Sequence, residues 1–227
     1  MAFSSVIRRS LIRPLPSFTH QTFPIARTFT ASALLRGPLA EAIKAGHHEL
    51  KSYHPHLTSH KDVDERVRYQ NLFTWELARQ AVAQDIVIYP AMDDALNEGV
   101  GIAKKSRAQS QKIKEHLHTF QSLSPTDPAF DDVLASLWDD LSQHIEEVEG
   151  HDIPALEAEL SDQEATDLRI SFDRTKMLAP TRSHPGSPGK PPFETVAALL
   201  AAPLDKVMDV FRKFPQVQNR SDPNTHY

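Results

Sequence analysis

Two stretches of this 227-residue chain place metal-ligand chemistry at helical spacing, and they read as two versions of one pattern. The first runs Gln80-Ala-Val-Ala-Gln84-Asp85-Ile-Val-Ile-Tyr89-Pro90, the second His144-Ile-Glu-Glu-Val148-Glu149-Gly-His-Asp-Ile153-Pro154. A shift of 64 residues lays Pro154 on Pro90, Ile153 on Tyr89, Glu149 on Asp85 and His144 on Gln80. A His followed four or five residues later by a carboxylate sets both on one side of a helix, one turn apart, facing a common ion inside a bundle. Only the second copy keeps that chemistry. In the first, Gln80 and Gln84 stand where an imidazole and a carboxylate are expected.

The elements that must position these residues are helical throughout. Apolar residues at 39, 43, 50, 53 and 57 give a helical period after Gly37-Pro38. A second helical stretch is expected from Asp62 to Leu96, interrupted by Pro90 and ended at Glu98-Gly-Val-Gly101. A third fits Ala103 to Leu123. A fourth is expected to open with Asp127 as its N-cap and Pro128 in its first turn, and to continue towards Pro154 and Leu160. Ser161-Asp-Gln-Glu164 is a capping box for a shorter helix to about Met177. From Ala179 to Pro192, five prolines and two glycines in fourteen residues exclude regular structure and predict an extended connector. An amphipathic helix is expected from Phe193 to Phe214, packed back on the bundle because an isolated helix is marginal in water. No segment alternates like a strand. The expected fold class is all-α: an up-down four-helix bundle with additional C-terminal helices, divided as 1–36, 37–177, 178–192 and 193–227.

Composition narrows the chemistry. The absence of cysteine excludes disulfides, thiolate zinc sites and cysteine-held clusters, so His and carboxylate are the strong ligands left. No apolar run approaches the roughly 18 residues of a membrane span. Residues 1–36 hold five arginines (Arg8, Arg9, Arg13, Arg27, Arg36), no acidic residue and several Ser and Thr, the composition of a mitochondrial transit segment. Localisation in the mitochondrial matrix is therefore expected; the alternative is a basic N-terminus on a cytoplasmic protein. Without those arginines, 20 of the 25 basic residues remain against 30 acidic ones, a net charge of −10 that argues against nucleic acid as a partner. Nucleophilic catalysis has no support, since there is neither a Gly-x-Ser-x-Gly elbow nor a phosphate-cradling loop.

The blocks Phe73-Thr-Trp75 through Ala91 and His144 through Glu157 resemble the hemerythrin-like cation-binding family, above all its fungal members. The tail from Thr181 to Thr195 resembles the extension those members carry, and the likeness spans Leu39 to Pro215. The resemblance implies a bundle with two non-haem irons, held by a His from the first helix, His-x₃-Glu from the second, one or two His from the third, and a His with a carboxylate from the fourth. Carried over, His47 fits the first helix, although Gly46 replaces the Asp that usually precedes it. Gln80 and Gln84 occupy the second-helix positions, Ser110 the third-helix position, with Lys114 one turn on. His144 and Glu149 match the fourth helix, and Val148 replaces the carboxylate at the four-residue offset.

Two multivalent ions a few ångströms apart need anionic bridges, and amide, hydroxyl and valine side chains supply none. The expected role is a non-enzymatic structural, interaction or ligand-binding module without a cofactor, its protein or small-molecule partner unknown. On this reading His47, His144 and Glu149 are inherited positions hydrogen-bonded to Gln80, Gln84 and Ser110. The alternative is a single iron or other divalent ion on His47, His144 and Glu149, the two-His-one-carboxylate set. The crowd of His47, His48, His54, His56 and His60 is read as mostly solvated. His116 and His118 point away from the Ser110 face, and His151 lies about 10 Å of helix rise beyond His144. Trp75 and Trp138 are read as core.

Overall fold

The computed structural model describes residues 37–59, 62–97 and 99–184, with 202, 205, 206, 208–210 and 212–215. The transit-like segment 1–36 and most of the expected 193–214 helix lie outside the described residues. Residues 202, 205, 206, 208 and 209 are helical.

The helices are α1 (Pro38–Thr58), α2 (Val63–Ala83), α3 (Tyr89–Ala95), α4 (Gly99–Phe120), α5 (Phe130–Glu147), α6 (Ile153–Glu159) and α7 (Asp162–Leu178). Two π-helical segments, Gln84–Ile88 and Val148–Asp152, join α2 to α3 and α5 to α6. No strand occurs among the described residues. Cross-contacts fix the directions. Arg66 bonds the Leu57 carbonyl and Gln80 that of Ile43, so α2 runs antiparallel to α1. Gln70 reaches the Phe120 carbonyl, whereas Asp93 meets Arg107, so α4 runs against the α2–α3 arm. Lys112 pairs with Asp140 and Lys105 with Glu147, which sets α5 against α4. The result is an up-down four-helix bundle, with α7 laid against α1 and α2.

The 64-residue shift seen in the sequence is present in the backbone: both π segments and both following helices are 64 residues apart. Pro90 and Pro154 each occupy the second position of their helix. A proline there has no N–H to donate and its ring crowds the carbonyl of the preceding turn. The chain responds by widening the turn, so that Tyr89 N–H bonds the Gln84 carbonyl and Ile153 N–H that of Val148, five residues back in each case.

The buried apolar residues form two clusters. One is built on Leu50, Leu57, Phe73, Leu77, Ile113, Leu117, Phe120, Phe130 and Leu141. The other contains Leu39, Ile43, Ala83, Ile88, Tyr89, Met92, Ala103, Val148 and Phe172. On every arm the residues between these clusters are polar: His47 on α1, Gln80 and Gln84 on the second arm, Ser106 and Ser110 on α4, His144 on α5. All six are buried.

The helix ends show where local signals were overruled. Ser161 and Glu164 form the expected capping box of α7. At the start of α1, Gly37 supplies no cap, and Glu157 of α6 accepts from the Leu39 and Ala40 amides at 3.1 and 2.9 Å. A carboxylate there also complements the helix dipole. Asp127 does not open α5. Its carboxylate accepts from the Ala129 amide at 2.9 Å, an Asx turn that holds Asp127-Pro128 outside the helix, which begins at Phe130. Nor do residues 99–101 end a helix as expected, since α4 begins at Gly99. A Cβ on Gly99 would lie 1.8 Å from the Met92 carbonyl oxygen, a backbone atom that cannot step aside. Gly99→Ala is therefore expected to cost about 1–3 kcal/mol, measured by urea denaturation, despite alanine's better helix propensity.

Residues 179–184 after α7 are irregular, as expected, but packed rather than free; the rest of the expected connector, 185–192, lies outside the described residues. Residues 179–183 are buried across α2 and α4. Ser183 donates its amide to Gln121 and its hydroxyl to the Lys114 carbonyl, and its own carbonyl accepts from Gln121. Arg182 bonds Asn71 at 2.8 Å.

Candidate functional site

The polar layer between the two apolar clusters encloses a cavity of about 10 Å³. His47, Gln80, Gln84, Ser110 and His144 line one part of it, and Leu50, Leu77, Ala81, Ile113 and Leu141 the rest. All four arms of the bundle contribute, so the expected site residues are brought to one place, with two exceptions. Glu149 lies beyond the rim, towards α1. Val148 faces the apolar cluster around Ile43 and Met92.

His47 Nδ1 lies 2.8 Å from Glu149 Oε1, and Lys51 approaches the same oxygen at 3.5 Å. A carboxylate accepts, so Nδ1 carries the proton and Nε2 is a lone pair. Burial lowers the pKa of His47, and the hydrogen bond and charge of Glu149 oppose that shift without reversing it. Glu149 is held below the usual carboxylate range, first by the hydrogen bond from His47. The pair is thus a neutral imidazole donating to a carboxylate.

His144 has a different shell. Its Nδ1 lies 3.2 Å from Gln109 Oε1, and Gln109 is oriented by donating its amide to Glu147 at 3.0 Å. An oxygen facing Nδ1 requires the proton on Nδ1. Burial, reinforced by repulsion from His47, lowers the His144 pKa to about 4, so Nε2 is unprotonated at neutral pH. That Nε2 lies 3.4 Å from Gln84 Oε1 as the amide is placed. The contact is a hydrogen bond when Gln84 turns its amide N–H towards the ring, an orientation equivalent in shape to its reverse.

Gln80 donates weakly to the Ile43 carbonyl at 3.5 Å, while its Oε1 is buried without a hydrogen-bond partner. Gly46 gives it room: a Cβ at 46 would stand 2.0 Å from that oxygen. Ser110 bonds Asp85 at 3.3 Å, and Lys114 bonds the other Asp85 oxygen at 2.7 Å. Only His144 thus meets one of its expected partners, Gln84. His47 takes Glu149, Gln80 a backbone carbonyl, and Ser110 an aspartate.

The sequence reading passed over three participants. Gln109 sits immediately before Ser110, Asp85 is the counterpart of Glu149 under the 64-residue shift, and Lys114 lies one turn from Ser110. The shift offered a signal for Asp85; nothing in the sequence singled out Gln109.

Other histidines lie outside the cavity. His151 Nδ1 contacts Asp152, whose other oxygen accepts from Ser106 at 2.7 Å. His116 pairs with Asp140, and His118 lies 3.0 Å from the Ser183 carbonyl. His54 and His56 correct the solvated reading: His54 stacks on Trp138 at 4.0 Å, and His56 on Tyr69 at 3.8 Å while bonding Glu65. Flat imidazoles cover aromatic faces at little entropic cost. His60 lies outside the described residues. Trp138 packs against the core, but Trp75 is only partly buried, under the Arg79 guanidinium at 3.4 Å.

Residues 38–156 match the hemerythrin HHE cation-binding domain. The chain belongs to the hemerythrin family. It is 45% identical over 178 residues to a hemerythrin-like protein of Schizosaccharomyces pombe, covering 78% of this chain and 88% of that one. No solved structure matches.

Hemerythrin-like domains imply a pair of iron ions. Around the cavity stand two neutral imidazoles, two amides and a hydroxyl. The adjacent carboxylates, Glu149 and Asp85, are bonded to His47 and to Ser110 and Lys114. Among the described residues, no three His, Asp or Glu side chains are grouped to hold a metal ion. Two irons without a bridging carboxylate repel each other, and this donor set does not fit them. No helix among the described residues is long and apolar enough to cross a membrane.

Proposed function

We propose that this hemerythrin-like domain lacks a two-iron oxygen centre and works as a non-enzymatic interaction or ligand-binding module. The observation that carries the reading is the partnering of its two inherited imidazoles. His47 donates to Glu149, and His144 is held between Gln109 and Gln84. A polar group buried in this way costs little, whereas an unmatched one costs about 1–3 kcal/mol. The acidic charge outside the first 36 residues disfavours nucleic acid, and the arginine-rich composition of residues 1–36 supports a mitochondrial setting.

A second reading is a single divalent ion on His47, His144 and Glu149. It is favoured by the two imidazoles lining one cavity, with the carboxylate hydrogen-bonded to one of them. Metal analysis of the purified full chain after iron loading, with optical spectroscopy after exposure to air, separates the two. Substoichiometric iron and no oxo-bridge absorption are expected. Two irons per chain would refute the proposal, and one ion lost in His144→Ala would establish the single-ion alternative.

A further inference from the structure

A groove of about 560 Å³ runs between α3, the end of α6 and α7, and shares no residue with the central cavity. Its floor is apolar, made by Ala95, Leu160 and Leu168. Its rim is acidic. Asp94, Glu159, Glu164 and Asp167 stand around it, all exposed, and among the described residues no Lys or Arg lines it. Glu164 caps α7 and Asp167 accepts from Gln163 at 3.0 Å, so neither bond brings a positive charge. Four carboxylates over an apolar floor repel one another, and a cationic segment with apolar side chains relieves that repulsion while covering the floor.

Such a segment belongs to the same chain. Residues 27–36 carry Arg27 and Arg36 at their ends and Phe29, Leu34 and Leu35 between them, within 36 residues that hold five arginines and no acidic residue. The segment joins the fold beside the groove. Gly37 is so close to Glu157 that a Cβ there would stand 2.0 Å from its carboxylate, and Leu160 of the floor follows Glu157 by three residues, a span of at most about 11 Å. Ten extended residues reach about 35 Å, so length is not limiting.

We infer that the groove between α3, α6 and α7 is the docking site of the chain's own segment 27–36, with its arginines on the rim carboxylates and its apolar residues on the floor. The inference stands apart from the metal-free reading, because groove and cavity have no residue in common. Tethering makes weak contacts sufficient. At an effective concentration on the order of 1 mM, an intrinsic Kd of about 0.1 mM gives about ten docked chains for each open one. While docked, Arg27 and Arg36 are withheld from other anionic surfaces.

The full chain supplies the test. Trypsin cleavage after Arg27 and Arg36, followed by mass spectrometry, is expected to be about tenfold slower in the unaltered protein than in Asp94→Asn/Glu159→Gln/Asp167→Asn, because cleavage tracks the open population. Glu164 stays, to keep its cap on α7. Asp132→Asn/Asp139→Asn/Glu146→Gln removes the same charge from exposed positions of α5 and is expected to leave the rate unchanged. Since the chain has no cysteine, an engineered pair reports proximity with the carboxylates intact. Under mild oxidation Ala33→Cys/Ala95→Cys is expected to form a disulfide within one chain, and Ala33→Cys/Ser136→Cys, with its second thiol on exposed α5, is not. Equal cleavage of the unaltered and groove-neutralised proteins, or equal cross-linking to 95 and 136, would overturn the inference. A disulfide formed only between chains would overturn it in favour of a second copy as the occupant's source. If the groove-neutralised variant does not fold, the cysteine pairs still decide.

Discussion

Between pH 6.5 and pH 4 the folded protein is expected to lose about 3 kcal/mol of stability through His144, and His144→Gln is expected to remove most of that loss. The sign follows from where the proton binds. In the unfolded chain His144 takes a proton near the ordinary histidine value of 6.5, whereas burial in the fold holds it unprotonated down to about 4. Across that interval the unfolded state binds more protons, so acid favours unfolding. The contribution is complete above 6.5 and declines as pH falls towards 4. His47 acts in the same direction, its pKa lowered by burial. Glu149, held below 4.5, loses its contribution only at still lower pH. Urea titrations at pH 7.5, 6, 5 and 4 on both proteins read the difference directly. Parallel pH profiles would show that His144 is not the buried neutral base described above.

Lys114→Met is expected to destabilise the fold by about 3–5 kcal/mol, the range for removing one partner of a buried ion pair. Lys114 and Asp85 are 14% and 8% exposed, and their 2.7 Å contact joins α4 to the arm of α2. Methionine keeps the length of the stem but takes the Lys114 ammonium away from the largely buried Asp85 carboxylate. The double variant Asp85→Asn/Lys114→Met should recover much of the loss, because the cost lies in an uncompensated charge rather than in the pair itself. Lys112→Met is the control. Lys112 also pairs with a carboxylate, Asp140, but is 60% exposed, and exposed pairs contribute about 0–1 kcal/mol. Thermal and chemical unfolding of the four proteins would measure this, and equal effects for Lys114 and Lys112 would contradict the buried bridge.

Much of the bundle was legible in the residues. Apolar positions at helical period located α1 and the α2–α3 arm, the Ser161–Glu164 capping box located α7, and Pro90 located the first interruption, whereas the second, before Pro154, was not expected. The errors fell where a local signal had two uses. Asp127-Pro128 can begin a helix or close a turn, and the bond from Ala129 N–H to Asp127 decided for the turn. Gly99 and Gly101 suggested a loop, yet α4 begins at Gly99, which is glycine because the nearby Met92 carbonyl leaves no room for a Cβ. The first residues of the Pro- and Gly-rich stretch after α7, 179–184, are irregular as read, and the rest of it lies outside the described residues. Its burial at residues 179–183 depends on contacts with Gln121, Asn71 and Lys114, more than fifty residues away, which no local pattern records.

The sequence by itself determined the fold family, the 64-residue duplication and which ligand positions hold glutamine, serine or valine. The repeat follows from residue type and spacing, and the family and its ligand positions from the resemblance those residues carry, all of which survive without coordinates. Tertiary structure alone decided the partners: Glu149 turned to His47, Gln109 set against His144, Lys114 carried to Asp85, and Gln80 Oε1 left without a donor. Hydrogen bonds and desolvation act over a few ångströms between different helices, so the protonation of each imidazole was settled only when the four arms came together.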